Sequence, residues 1–418
     1  MKNHAKLIGF ISEILNDQSF VDRSRNDSKS FTRDRVWTFS TTFLFICNIL
    51  NKRAQSEIDG FLSQLFGTPA SVRHATASSF TKRRGKIKPE AFSEMSRKLV
   101  EKFYNTFRYN RSKGFRVLAV DGSAYTLPRT DCTVRAFGDN VFGNGKWIKA
   151  QVSMLSDVLN NICIEQVMDA YTESEAKLAT GHLAHAGKSD LLLFDRGYFS
   201  FAFLREVALT GAAFCFRMRT NACKALTVFV EGKEPDARTV IQVDGMDITV
   251  RFTKIDLGNG QTEYLMTNLY NRSRFTPQVL KGPYHKRWGI EEQFKDFKHA
   301  IAIGNFVGRK KDHILQEFHA NSLIYNLSMM IRAPLVTKCL KGKKRRHSYK
   351  NNKRATLSQF KASMTDLFNG SMEKVVQTMK NIISNLIQEA VPIRNGRKYE
   401  RGKTQKAKRK HARQYVPV

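Results

Sequence analysis

The chain has 418 residues, of which 41% are hydrophobic and 11% aromatic, and its formal net charge is +33 at pH 7. Length and apolar content suit a globular protein of two or three domains and argue against disorder. The charge favours a polyanionic partner, and no uninterrupted apolar stretch reaches membrane-spanning length, so nucleic acid fits better than lipid.

Residues 1–110 read as helical. Leu7, Ile11 and Leu15 have helical spacing, Val36 to Leu50 reads as a core helix, and Glu57 to Phe66 runs into Gly67. Met1 to Phe20 mixes apolar turns with Lys2, Lys6, Glu13 and Asp17, unlike a signal peptide. In SSFTKRRGKIKPEAF, Ser78 or Ser79 is placed to cap a helix carrying Lys82, Arg83 and Arg84, and Pro89 to open the next at Glu90. A helix, a basic turn and a second helix suit phosphate docking, and they equally suit a solvated loop.

From Phe115 the texture changes to strands. FRVLAV is a short β-rich run ending on Asp121-Gly122-Ser123, and Trp147 to Leu155 and Ile162 to Tyr171 are two more, joined by a turn over Ser156 to Asn161. Thr172 with Glu175 reads as a capping box opening a helix that stops at Gly187. LLLF then runs into Asp195-Arg196-Gly197, followed by a helix from about Ser200 to Leu209 and a strand from Ala213 to Met218. This β-β-β-α-β-α-β order, with one acid leaving the first strand and another the fourth, is that of a ribonuclease-H-like α/β core. Such a core brings two carboxylates together on adjacent strands. Residues 220–275 read as a β-rich insertion with hairpin turns at Asp244-Gly245 and Asn259-Gly260.

YHKRWGIEEQFKDFK, from Tyr284 to Lys298, has the apolar spacing of an amphipathic helix, with Pro283 at its start. At roughly 100° per residue, Tyr284, Arg287, Glu291 and Lys298 fall within about 60° of one another. Arg287 and Glu291 also have the spacing of an ordinary exposed ion pair, so the stripe alone leaves both readings open. A long apolar helix, Ile314 to Ile331, follows. From Lys341 onward, 21 Lys and Arg against 4 Asp and Glu give +17, about half of the chain's charge. Two clusters, KGKKRRHSYKNNKR and RNGRKYERGKTQKAKRK, flank an amphipathic helix near Met372 to Glu389. Clusters of this kind serve as solvated tails or bind DNA without being ordered.

The spacing Tyr-x2-Arg-x3-Glu-x6-Lys, carried by Tyr284, Arg287, Glu291 and Lys298 without a gap, resembles the signature of bacterial DDE transposases of insertion-sequence family four. DGSAYTLP and LLLFDRGY stand where the resemblance expects them, SSFTKRR is similar to a segment of the family's DNA-binding region, and GNFVGRKKDHILQEFHA to the segment after the signature. The resemblance implies that Asp121, Asp195 and Glu291 are the catalytic, metal-binding carboxylates and that Tyr284, Arg287 and Lys298 contact phosphate near the transposon end. Lys82, Arg83, Arg84, Arg309, Lys310 and Lys311 become candidate DNA contacts. The implied activity is binding of terminal inverted repeats, pairing of two ends as a homodimer, and cleavage and joining to target DNA in the bacterial cytoplasm, without a membrane partner. Family members that cut through a hairpin hold a flipped base on a tryptophan of the insertion. This insertion has none, leaving Phe252 or Tyr264 as aromatic candidates.

The chemistry fits those residue types. Phosphodiester cleavage and strand transfer need an activated oxygen nucleophile and charge neutralisation at phosphorus, which two divalent ions about 3.5 to 4 Å apart supply. Mg²⁺, with Mn²⁺ as a substitute, takes carboxylate oxygens and keeps several waters, so three carboxylates from distant segments suffice. Asp131, Asp139, Asp157 and Asp169 are rivals in the same region, Asp169 the strongest. His182 and His185 alone have His-x-x-His spacing, six scattered cysteines form no metal-finger pattern, and there is no P-loop. The reading divides the chain into a helical DNA-binding region (1–110), a catalytic core (111–219 and 276–335) interrupted by the insertion (220–275), and a basic helical region (336–418). A ribonuclease-H-like nuclease that cuts without joining, and a catalytically silent DNA-binding descendant of a transposase, are the alternatives.

Overall fold

The computed structural model describes residues 2–394 except 34, 50–53, 70, 143, 259, 300–305, 342–346 and 351. Six helices come first: α1 (Lys2–Asn16), α2 (Gln18–Ser24), α3 (Phe39–Asn48), α4 (Ala54–Phe66), α5 (Ala77–Arg84) and α6 (Glu90–Thr106). Thr76, rather than Ser78 or Ser79, caps α5, its hydroxyl accepting from the Ser79 N–H at 3.2 Å. α6 buries Phe92, Met95, Leu99 and Phe103, a stripe at helical spacing.

The strand region opens with β1 (Arg116–Pro128), α7 (Asp131–Phe137), β2 (Val141–Phe142), β3 (Trp147–Asp157) and β4 (Ile162–Ala170). β1 does not end at Asp121. It runs through Asp121-Gly122-Ser123 because β3 pairs with it antiparallel from Leu118 opposite Asp157 to Pro128 opposite Trp147, so every residue of the motif has a ladder partner. The helix α8 (Glu175–His182) and a 3₁₀ turn (Leu183–His185) come next. Ser174 caps α8, accepting from the Lys177 N–H, so Glu175 is the first helical residue and the expected Thr172 capping box does not form. β5 (Asp190–Phe194), α9 (Phe201–Leu209), β6 (Ala213–Met218), α10 (Lys224–Glu231), β7 (Asp236–Val243), β8 (Met246–Asp256) and β9 (Thr262–Thr267) follow.

The strands form one nine-stranded sheet in the order β2-β3-β1-β5-β6-β9-β8-β7, with β4 on the far side of β3. β1, β5 and β6 are parallel, and β9 joins β6 antiparallel, so the strands of residues 236–267 continue the same sheet. Asp244 and Gly245, at φ of 47° and 77°, make the tight turn between β7 and β8. Phe252 is buried in the core against Phe229 and is not available to a base.

The helix expected to start at Pro283 is two helices, α11 (Pro277–Lys286) and α12 (Trp288–His299), meeting at Arg287. Thr276 caps α11 and Pro277 takes the first turn, which leaves Pro283 inside, where it withdraws an N–H from the ladder. The chain breaks four residues later. α13 (Lys311–Lys341) is buried around most of its circumference over the described side chains, packing against α6, α3 and β4. Its Asn326 donates to the Cys163 carbonyl and accepts from the Cys163 N–H, closing part of the β4 edge. β10 (Tyr349–Lys350), α14 (Lys353–Ala362), α15 (Met364–Asn369), α16 (Met372–Gln388) and β11 (Val391–Pro392) complete the fold. Part of the first basic cluster and all but the first residue of the second lie outside the described residues.

Candidate active site

The parallel register decides how two of the carboxylates meet. β1 pairs with β5 from Arg116 opposite Asp190 to Ala119 opposite Leu193, and two residues further along Asp121 comes level with Asp195. β5 stops at Phe194 while β1 continues, so a notch opens beside Asp121, Gly122 and Ser123 at the carboxyl end of β5.

Asp121 is half-buried and its carboxylate accepts from the Gly122 N–H at 3.0 Å. Burial pushes its carboxyl up to about 6; Arg287 opposes the shift, while Glu291 and Glu175 add to it. Oδ1 of Asp195 is buried with no hydrogen-bond partner among the described residues, and Arg217 Nη1 on β6 stands 3.8 Å away. Glu291, on the first turn of α12, accepts from Arg287 Nη2 at 3.2 Å; its side chain is 46% exposed while that of Arg287 is 4% exposed.

Arg287 sits at the helix break with its Nε buried and unpaired among the described residues. Burial opposes its charge, yet Tyr284, Asp195, Asp121 and Glu291 together hold its pKa above the ordinary value. One cation therefore lies in the field of all three carboxylates. Tyr284 is buried, its hydroxyl donating a long 3.4 Å bond to the Phe194 carbonyl, which ties α11 to the end of β5. Lys298 donates to Ser123 Oγ at 2.6 Å and lies over the Tyr125 ring. Asp121, Ser123 and Tyr125 alternate on one face of β1, so Lys298 reaches the face that bears Asp121. Burial lowers its pKa, as for an ammonium short of anionic partners.

Four residues not singled out as site residues border this notch. Glu175 approaches Gly122, and Tyr198, buried below Asp195, lies in the field of Asp121, Glu175, Arg287 and Asp195. Glu263 on β9 pairs with Arg217 at 3.0 Å and is itself pushed up by burial. Only chain folding brings β9 and α8 to this place; Tyr198 closes the LLLFDRGY run, whereas no local motif marks Glu175, Arg217 or Glu263.

None of the rival acids is among these residues, and Asp131 is exposed in the first turn of α7. Asp139 pairs with Arg129, Asp157 accepts from Tyr104 and Asn160 in the hairpin turn, and Asp169 is exposed near the end of β4. His182 and His185 both bind Glu165, and His182 also meets Ser153. Among the described residues no three His, Cys, Asp or Glu side chains converge closely enough to hold one ion. A hard divalent ion takes carboxylate oxygens and keeps several waters, so the oxygen donors of Asp121, Asp195 and Glu291 are of a kind that suits such an ion.

The predicted DNA contacts separate. Lys82 and Arg83 line a surface cavity of about 620 Å³ with Lys29, Arg33, Arg35 and Lys86, and Arg83 lies over the Phe31 ring. Arg84 is a correction: it is buried, donating to Gln316 Oε1, to Glu317 Oε1 at 2.9 Å and to the His313 carbonyl, so it docks α5 to α13. Arg309, Lys310 and Lys311 are exposed at the start of α13, and the Arg309 carbonyl accepts from Thr130. Gly308 is required there because a Cβ would come within 2.6 Å of His313 Cβ.

Two carboxylates thus stand level across parallel strands, with a third on α12. The family model described as the transposase DDE domain matches residues 112–327, just over half of the chain. The chain belongs to the DDE transposase family. Within it, the chain is similar to the transposase InsG for insertion sequence element IS4 of Escherichia coli (strain K12), with 22% identity over 273 residues. That match spans 62% of this chain and 62% of the relative. Among solved structures, a piggyBac transposase synaptic complex with hairpin DNA aligns over 96% of this chain and 87% of its own, with a TM-score of 0.46 and 13% identity.

Proposed function

We propose that this DDE transposase binds the terminal inverted repeats of its own element, cleaves the ends and joins them to target DNA, using Asp121, Asp195 and Glu291 to hold two Mg²⁺ ions. The observation that carries the reading is Arg287, a buried arginine with an unpaired Nε in the field of those three acids. A buried polar group left short of partners calls for an explanation, and an arginine fork matches a phosphate. We read the sheet β4-β3-β1-β5-β6 as a ribonuclease-H-like core, on the strength of its strand order and parallel β1, β5 and β6.

When bound, the ions would supply an activated oxygen nucleophile and neutralise charge on the leaving oxygen. The chain's own residues do the rest. Arg287 offers its guanidinium to the phosphate beside Glu291, Lys298 adds a cation from the Ser123 side, and Tyr284 holds α11 against β5 so that Arg287 stays in place. Lys82, Arg83 and the Arg309–Lys311 turn bind flanking phosphates, residues 1–110 grip the terminal repeat, and two copies pair the ends.

The test is Mg²⁺-dependent cleavage of a duplex bearing the repeats that flank the coding sequence. Asp121→Asn, Asp195→Asn and Glu291→Gln should each lower the rate by roughly 10²- to 10³-fold or more and leave repeat binding intact. Undiminished cutting by any of the three would remove that residue from the site. Cutting without joining to a target plasmid would leave a nuclease, and binding without cutting a silent descendant.

A further inference from the structure

Gly122 faces away from Asp121 on β1, towards the sheet face covered by α8. A Cβ on it would lie 2.6 Å from both Cδ and Oε1 of Glu175, so only glycine lets this carboxylate lie against the strand next to Asp121. The buried Gln151 on β3 donates to Glu175 Oε1 at 3.1 Å and fixes it there, while the side chain stays open to solvent on its other side. A second feature faces the same place. Tyr198 is 3% exposed, and its hydroxyl is buried with no hydrogen-bond partner among the described residues, in the field of Asp121, Glu175, Arg287 and Asp195. A buried hydroxyl left unpaired beside acids from both faces of the sheet is a group kept for something that enters the notch.

We infer that Glu175 is a fourth carboxylate of the divalent-cation site, admitted by Gly122, held by Gln151 and faced by the Tyr198 hydroxyl, which donates to an oxygen of the occupied site. The inference rests on the proposed metal-bound transposase. It extends that reading because Glu175 lies against β1 next to Asp121, on the sheet face opposite to Glu291, so a cation beside Asp121 would be shared by Asp121 and Glu175 across the strand. A hard cation that prefers six oxygens gains a charged ligand there in place of water.

The test is Mn²⁺ binding to the full-length chain, read from the paramagnetic resonance of the free ion and so independent of cleavage. Glu175→Gln, which keeps a side-chain carbonyl for Gln151, should raise the Kd roughly tenfold or more, and Asp121→Asn should do likewise. Glu175→Asp retains the charge but withdraws it by one methylene, and should also weaken binding; Gly122→Ala should do so by displacing Glu175. Thermal melting of each variant checks the fold, and the aspartate variant carries the test if the glutamine variant does not fold. Wild-type affinity in the folded Glu175 variants, with reduced affinity in Asp121→Asn, overturns the inference and leaves the proposed function standing. Weakened binding in the Glu175 variants alone overturns it as well, since the ion would then sit away from Asp121. Unchanged affinity in every variant, or no binding by the wild-type chain, defeats both readings.

Discussion

Two buried arginines, one at the α5–α13 junction and one at the α11–α12 break, show opposite uses of the same side chain. Arg84 commits its fork to Gln316, Glu317 and the His313 carbonyl, and Glu317 in turn accepts the N–H groups of Val307 and Gly308. Arg287 makes a single 3.2 Å bond to a half-exposed glutamate and leaves Nε unpaired among the described residues. A saturated buried pair locks two elements together, whereas a buried charge short of partners is destabilising in a way that binding a phosphate would relieve. The same contrast separates the predicted DNA contacts: Arg84 belongs to the framework, and Lys82 and Arg83 beside it remain at the surface.

The sharpest way to break this contrast is to truncate both arginines. Arg84→Ala strands the buried Glu317 carboxylate and should cost about 3 to 5 kcal/mol in chemical denaturation. A decrease below about 1 kcal/mol would mean that the junction is not held by this pair. Arg287→Ala should instead lower cleavage of a terminal-repeat duplex roughly a hundredfold, because a reacting group misplaced by about 1 Å costs on that order. Its melting point should fall by much less than that of Arg84→Ala. Normal cleavage with a lowered melting point would make Arg287 a structural residue like Arg84.

Acidity sharpens the comparison next. The Asp121 carboxyl is raised to about 6 from the ordinary 3.8, so in the metal-free protein this group favours folding more as pH falls from 6 towards 4, the reverse of an ion-paired aspartate. A metal ligand must be deprotonated, so Mg²⁺-dependent cleavage should fall about tenfold per unit once pH drops below about 6. Asp121→Asn should flatten the first dependence in a series of melting curves. A cleavage profile level from pH 7 to 5 would contradict the burial of this carboxylate.

The smallest expected effect concerns the basic residues after Arg394. If the basic segment 395–418 adds sequence-independent affinity, deleting it should lower the slope of log affinity against log salt by about 0.9 for each phosphate that the shortened chain no longer neutralises. Binding titrations at several salt concentrations measure it, and an unchanged slope would place the segment off the DNA.

Period and punctuation are local, and so they could be read from the chain: the alternation of strands and helices from Trp147 to Met218, the hairpin at Asp244-Gly245 and the chain order of Asp121, Asp195 and Glu291. Local pattern misplaced what depends on a distant partner. It ended β1 at Asp121, although β3 carries the strand on to Pro128, and it started a helix at Pro283, although Thr276 and Pro277 open it a turn and a half earlier. It also counted Arg84 among surface cations, because nothing near residue 84 announces Glu317, 233 residues away. Burial, pairing and the unpaired Nε of Arg287 are properties of surfaces brought together by folding. The sequence by itself therefore determined which carboxylates and cations are available and in what order. Tertiary packing alone decided which of them are saturated in the framework and which, with Glu175, Tyr198 and Glu263, are left facing the notch at the end of β5.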